Sequence, residues 1–122
     1  MTNVFDDHES LAPQQIWEGV VARVIGGEGV TLALIELDPN AVVPEHSHEN
    51  EQLGVLIQGE MTFTVNGETR TLKPGGTWRI ERHAPHSVVV GPEGAVAAEV
   101  FAPGRDDWNG IERRPPSTPS WP

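Results

Sequence analysis

Two short stretches concentrate the side chains able to do chemistry. The first, HSHENEQLGVLIQG (46–59), places His46 and His48 two residues apart. On a strand both imidazoles point to one face, ~6–7 Å apart along the backbone. That spacing lets two ring nitrogens converge on one ion held at ~2.0–2.1 Å. Gln52 follows after three residues and Gly59 after six more. The second stretch, PGGTWRIERHAPHSVVV (74–90), runs through Trp78 and Ile80 into a turn stiffened by Pro85, which delivers His86. Alternation lets only one of Trp78 and Arg79 face inward. An isolated H-x-H more often faces solvent; a second histidine-bearing turn downstream points instead to one shared site. His83, three residues before His86, reads as an exposed turn residue in preference to a further ligand or acid/base group, and His8, in an acidic arm, has no role.

A third stretch, AVAAEVFAPGRDDW (95–108), ends a strand on which Glu99 and Phe101 share one face and Val96, Ala98 and Val100 the other. Arg105 follows past Pro103 and Gly104. A guanidinium fork for a carboxylate, an aromatic wall and a proton-shuttling carboxylate together suit a sugar acid. On these residues alone, an exposed Glu–Arg pair contributing little is the stronger reading.

The elements that must position these groups are strands. The chain has 122 residues with 13 Gly and 11 Pro spread along it, and runs of Val, Ile, Leu and Thr lie between them. Candidate strands are 16–25, 30–37, 42–48, 52–58, 60–65, 67–73, 76–80, 86–90 and 95–101. Asn66-Gly67 is a strong hairpin signal because both central residues need positive φ. No long segment has a helical apolar period. The chemistry is therefore expected on an all-β sandwich or barrel, one domain over 16–103, between an N-terminal arm (1–15) and a Pro-rich C-terminal arm (104–122). The Trp17 strand and a tail with Trp108 and Trp121 are candidates to cover sheet edges.

Composition narrows the function further. Lys plus Arg number 8 against 18 Asp plus Glu, a net charge of -10, which disfavours nucleic acid and anionic membrane surfaces. No apolar run approaches the ~20 residues of a membrane span. The acidic start MTNVFDDHES is unlike a signal peptide, so a cytoplasmic protein is expected. There are no cysteines, so any metal must be held by His, Asp, Glu or Gln.

Over residues 16–103 this pattern resembles the cupin superfamily, small jelly-roll β-barrels (double-stranded β-helices) with two motifs around a metal site. The first motif, G-x5-H-x-H-x3,4-E-x6-G, is met by His46, His48 and Gly59, with Gln52 at the Glu position and Asn40 at the leading Gly. The second, G-x5-P-x-G-x2-H-x3-N, is met by Gly75 and His86, with Glu81, His83 and Val90 as departures. The resemblance implies a divalent transition metal (Zn, Ni, Fe, Mn or Co) on His46, His48, Gln52 and His86. The spacing favours Gln52 as a ligand over a polar neighbour. A neutral carboxamide leaves the ion its full charge, which strengthens it as a Lewis acid, and is also a weaker ligand.

Within the superfamily, H-x-H-x3-Q with an acidic residue, x, Phe, x3, Arg looks like the pectin-degradation cupins of the KdgF type. Those promote linearisation of 4,5-unsaturated uronates. The resemblance makes Glu99 and Arg105 catalytic, with Phe101 and Arg105 binding substrate, although Glu99 stands where that family has Asp. A charge of -10 repels uronates and favours a small or neutral substrate, leaving Arg105, Arg79 and the metal as local positive charge. Three functions follow: metal-assisted hydration, tautomerisation and ring opening of an unsaturated uronate or similar small molecule; a dioxygenase or polyketide-cyclase-like cupin; and a non-catalytic small-molecule-binding cupin. The resemblance also implies a homodimer.

Overall fold

The computed structural model describes residues 3–121. Eight strands follow in chain order: β1 (Gln14–Trp17), β2 (Val20–Gly26), β3 (Thr31–Leu37), β4 (Val42–His46), β5 (Glu51–Val65), β6 (Glu68–Leu72), β7 (Thr77–Ile80) and β8 (His86–Ala102). Short 3-10 turns at His8–Ser10 and Asp106–Gly110 flank them. All pairings are antiparallel, in the order β1-β2-β3-β8-β5-β6, with β4 added to β8 and β7 to β5. This is the all-β architecture expected from the residue pattern, and the jelly-roll barrel that the cupin resemblance implies. No helix among the described residues is long and apolar enough to cross a membrane.

Two long strands organise the barrel. β5 and β8 pair from Glu51 opposite Ala102 to Val65 opposite His86. One half of this ribbon is flanked by β3 and β7, the other by β4 and β6. The ribbon bends where register shifts fall between Leu56 and Gln58 and between Gly59 and Met61, as bulges do. Gly59 sits at φ +85°, and a Cβ there would lie 2.0 Å from the Gly94 carbonyl oxygen. Backbone packs on backbone at this corner, and only glycine permits the approach.

These bends explain where strand boundaries differ from those read in the sequence. The segments 52–58 and 60–65 are one strand, as are 86–90 and 95–101, because a bulged ladder keeps its hydrogen bonds across a glycine that looks like a break. Conversely, 16–25 divides into β1 and β2 at a turn through Gly19, whose φ is +75°. The Asn66-Gly67 turn has φ +49° and +81°, as its hairpin requires.

The core lies between the inner faces. β3 shows the alternation most clearly, with Thr31, Ala33, Ile35 and Leu37 buried and the residues between them half-exposed. Leu56, Met61 and Ile80 are essentially inaccessible. Outside the barrel, the C-terminal segment lies across β2 and β3. The Arg23 guanidinium pairs with Glu36 and donates to the Ser117 carbonyl at 3.1 Å, while the Ser120 N–H donates to Glu36 Oε2 at 2.9 Å. Burial alone would raise the Glu36 carboxyl; the Ser120 hydrogen bonds and Arg23 outweigh it and hold it below its ordinary 4.5.

Two outcomes follow from this packing. Gly59→Ala is expected to destabilise the protein by more than about 2 kcal/mol, from strain plus clash. Gly67→Ala, with similar φ but open space, is expected to cost about 1 kcal/mol; equal urea midpoints for the two would contradict the corner's role. Because Glu36 titrates lower when folded, its stabilisation is present above 4.5 and lost as pH falls through the lower folded value. The stability gap between wild type and Glu36→Gln should therefore close in acid; a gap independent of pH would show that the carboxylate does not hold the tail.

Candidate metal centre

The end of β4, the loop after it and the start of β8 bring three imidazoles together. Their ligand atoms on His46, His48 and His86 lie within 4.8 Å of one another. Ring centroids are 4.2 Å apart for His46 and His86, and 5.0 Å for His48 and His86. The pairing explains the approach, since His46 lies directly opposite His86 across β4 and β8. A shift of less than ~1 Å would place all three on an ion with bonds of ~2.0–2.1 Å.

Each ring is fixed from behind by the main chain. Nδ1 of His46 contacts the Pro44 carbonyl at 2.9 Å, Nδ1 of His48 the Asn50 carbonyl at 2.9 Å, and Nδ1 of His86 the Ala84 carbonyl at 2.8 Å. A carbonyl only accepts, so each Nδ1 is the donor and each neutral ring keeps its lone pair on Nε2. Burial lowers the pKa of His48, with Arg105 adding to it, and lowers that of His86 to about 4, the other two histidines and Arg105 adding to it. Both shifts favour the neutral ring at His48 and His86, as metal ligation requires.

Two features are unexplained by protein contacts alone. Nε2 of His86 is buried and has no hydrogen-bond partner. Nε2 of His48 lies 3.1 Å from Gln52 Oε1, so two lone pairs face each other. The carboxamide is held in that orientation because its Nε2 donates to Glu99 Oε2. A cation shared by these atoms satisfies both features, so the donor set fits a divalent transition metal.

Glu99 is buried on β8, one strand over from Gln52. Trp78 Nε1 also donates to its Oε2, at 3.4 Å. The Trp78 indole occupies the space above Gly54, where an added Cβ would come within 2.2 Å of it. Trp78 is therefore the inward member of its pair, and Arg79 is exposed. Burial pushes the Glu99 carboxyl up to about 7, against the hydrogen bonds from Gln52 and Trp78 and the charge of Arg105. Phe101, two residues on, is buried with its ring 5.9 Å from that of His48.

Arg105 reaches the same interior but is already engaged. Its Nε and Nη2 donate to the two Asp107 carboxylate oxygens at 3.0 and 2.9 Å. The guanidinium lies 4.3 Å from the Trp108 ring centroid and 4.9 Å from that of Phe101. Trp108 is thus part of the wall here, while its carbonyl accepts from Gln14 of the edge strand β1 at 2.9 Å, and Trp17 packs on His46 with centroids 5.1 Å apart. His46, Gln52, His86, Glu99, Phe101 and Arg105 all line one interior cavity of about 50 Å³.

Asn50 was not singled out from the sequence, yet it ties the site together. Its carbonyl orients His48, and its Nδ2 donates to the Pro103 and Gly104 carbonyls at 2.6 and 3.1 Å. Only its place inside the histidine motif could have signalled this. His83 is exposed with φ +63°, and its N–H donates to the His48 carbonyl at 2.8 Å. Asn40 also has φ +61°. Both stand where the motif has Gly, and Asn and His are among the side chains that best tolerate this conformation.

Comparison with known proteins agrees with this geometry. The chain is 24% identical over 97 residues to the pectin degradation protein KdgF of Dickeya dadantii, covering 78% of this chain and 88% of that one. The structure of KdgF from a Halomonas species superposes with a TM-score of 0.79 at 26% identity, covering 87% of this chain and 98% of the other. An RmlC-like cupin from Shewanella frigidimarina gives 0.81 at 23% identity, covering 88% and 96%. Residues 33–101 match the cupin domain family; the chain is a cupin, and within that family it resembles KdgF.

Proposed function

We propose that this cupin is a metal-dependent enzyme promoting hydration or tautomerisation and ring opening of a small unsaturated uronate or similar sugar-derived molecule. The observation behind this reading is the set of three histidine ligand atoms within 4.8 Å of one another, with Gln52 Oε1 beside His48 Nε2 and Glu99 bound to the far end of the same carboxamide. Kinship with proteins named for pectin degradation supports a uronate as the substrate class.

His46, His48, His86 and Gln52 would hold the ion, one of Zn, Ni, Fe, Mn or Co, which when bound supplies Lewis-acid polarisation of a substrate oxygen. Glu99 is the group that moves a proton. Its Oε2 is fixed by Gln52 and Trp78, while no protein donor is assigned to Oε1 among the described residues. Arg105 meets a substrate carboxylate through the Nη1/Nη2 end of its guanidinium, because Asp107 occupies the Nε side. Phe101 supplies the apolar wall beside it. The cavity of about 50 Å³ is far below the ~300–1,000 Å³ of a small-molecule pocket, so it admits the reactive end of a substrate and not a whole oligosaccharide.

We also read the protein as a cytoplasmic homodimer. The outer sheet face has an apolar rung, Ile25, Leu32, Val100 and Leu53 in register across four strands, with Ile25 and Leu53 nearly half exposed. A second copy is the occupant that would cover it. Leu53→Glu should shift the sedimentation coefficient to that of a monomer; an unchanged value would place the interface elsewhere or remove it.

Metal-supplemented protein should contain one ion per chain, and His86→Ala should contain none. Metal-loaded protein should accelerate the loss of unsaturated-uronate absorbance. Glu99→Gln should slow it by about 10²–10⁴-fold while keeping its metal. A rate equal to buffer sinks the uronate reading. Oxygen uptake with an apolar diketone or flavonol would then favour a dioxygenase, and tight ligand binding without turnover a non-catalytic cupin.

A further inference from the structure

Arg105 lines the interior cavity, and its main chain is anchored on both sides. Its N–H donates to the hydroxyl of the buried Thr31 on β3 at 2.9 Å. Its carbonyl accepts from the Trp108 N–H at 3.0 Å, which starts the 3-10 turn Asp106–Gly110. The far end of that turn is pinned to β1, where the buried Gln14 side chain donates to the Trp108 and Ile111 carbonyls at 2.9 and 3.0 Å. With the backbone fixed, the freedom that remains belongs to the arginine side chain, which has many rotamers to lose.

Asp107 removes that freedom. Its two oxygens accept from Arg105 Nε at 3.0 Å and Nη2 at 2.9 Å, while the Phe101 and Trp108 rings lie against the guanidinium. The pair also has a direction. The Asp107 side chain is 61% exposed and stands outside the cavity lining, whereas that of Arg105 is 11% exposed and belongs to it. The carboxylate therefore holds the solvent-side edge, and the Nη1/Nη2 end is the one left for the interior. An ion pair with an exposed partner adds little stability, and Thr31 and Gln14 already hold the turn. Folding alone gives Asp107 little to do.

We propose that Asp107 is a positioning residue for carboxylate recognition, holding Arg105 with the Nη1/Nη2 end of its guanidinium presented to the substrate. This rests on the uronate reading and adds the residue that sets selectivity for an acid over a neutral substrate. The opposite role, a built-in competitor that the substrate must displace, would put both carboxylates on one edge. Asp107 takes the Nε edge and leaves the end free, so one guanidinium can hold both. Without Asp107 the mostly enclosed, uncompensated guanidinium would turn toward water, and a substrate carboxylate would lose a preorganised partner.

The test compares a 4,5-unsaturated monouronate with its methyl ester on zinc-supplemented wild type, Asp107→Asn and Asp107→Glu. Wild type should prefer the acid by about tenfold or more in kcat/KM. Asp107→Asn should bring that preference to within about threefold of unity, through a higher KM for the acid at similar kcat. Asp107→Glu should restore part of it. The Arg105 Nε–H resonance, sharp in the wild type, should broaden in Asp107→Asn. An unchanged preference, equal losses on acid and ester, or an Nε–H signal that stays sharp in Asp107→Asn would overturn the proposal. A lower KM for the acid in that variant would make Asp107 the competitor and overturn it too. If the wild type turns over acid and ester equally, the uronate reading stands and the proposal alone falls; if it turns over neither, the reading falls and the proposal with it.

Discussion

Three imidazole rings, that of His86 buried and those of His46 and His48 half-buried, have their Nδ1 protons committed to the carbonyls of Pro44, Asn50 and Ala84. That commitment leaves three inward lone pairs, and no donor is assigned to His86 Nε2. A buried acceptor without a partner costs about 1–3 kcal/mol, and facing Gln52 Oε1 toward a lone pair of His48 adds to this. The pocket thus presents acceptors that a cation would satisfy. The other site features are arranged around it: Gln52 is held by Glu99, Glu99 by Trp78, and Trp78 by the space that Gly54 leaves.

The barrel supplies this arrangement through two bent strands. β8 bears His86 at one end and Glu99 with Phe101 at the other, while β5 bears Gln52. Without the corner at Gly59 and Gly94, the two ends of β8 would face separate sheets and could not enclose one cavity. Loops complete the site by main-chain hydrogen bonds, through Asn50 to the segment at Pro103 and through His83 to His48. Main-chain anchoring suits a metal centre, because it fixes tautomer and ring direction together.

What could be read in advance was local. His46 and His48 are two residues apart, and alternation on a strand settles that they share a face. The Asn66-Gly67 turn needed only its own two residues. The Gln52–Glu99 bond was hidden, because it joins positions 47 residues apart and depends on the β5–β8 register after two bulges. The long strands were divided on the sequence because a glycine at a bulge looks like a glycine at a turn. Arg105 and Asp107 are near neighbours, yet spacing cannot say whether a guanidinium takes its own carboxylate or a substrate's. Here it takes its own on the Nε side, which leaves only the Nη1/Nη2 end of the guanidinium without a protein carboxylate.

The central claim is that three neutral imidazoles, each protonated at Nδ1, present Nε2 to one ion. Long-range ¹H–¹⁵N correlation spectra of the histidine side chains, recorded before and after adding one equivalent of zinc, test it directly. The account predicts Nδ1–H tautomers for His46, His48 and His86 in both spectra, with only their Nε2 resonances moving to metal-bound positions, while His8 and His83 stay unchanged. An Nε2–H tautomer at any of the three in the zinc-loaded protein, or an Nε2 signal that zinc leaves in place, would contradict it.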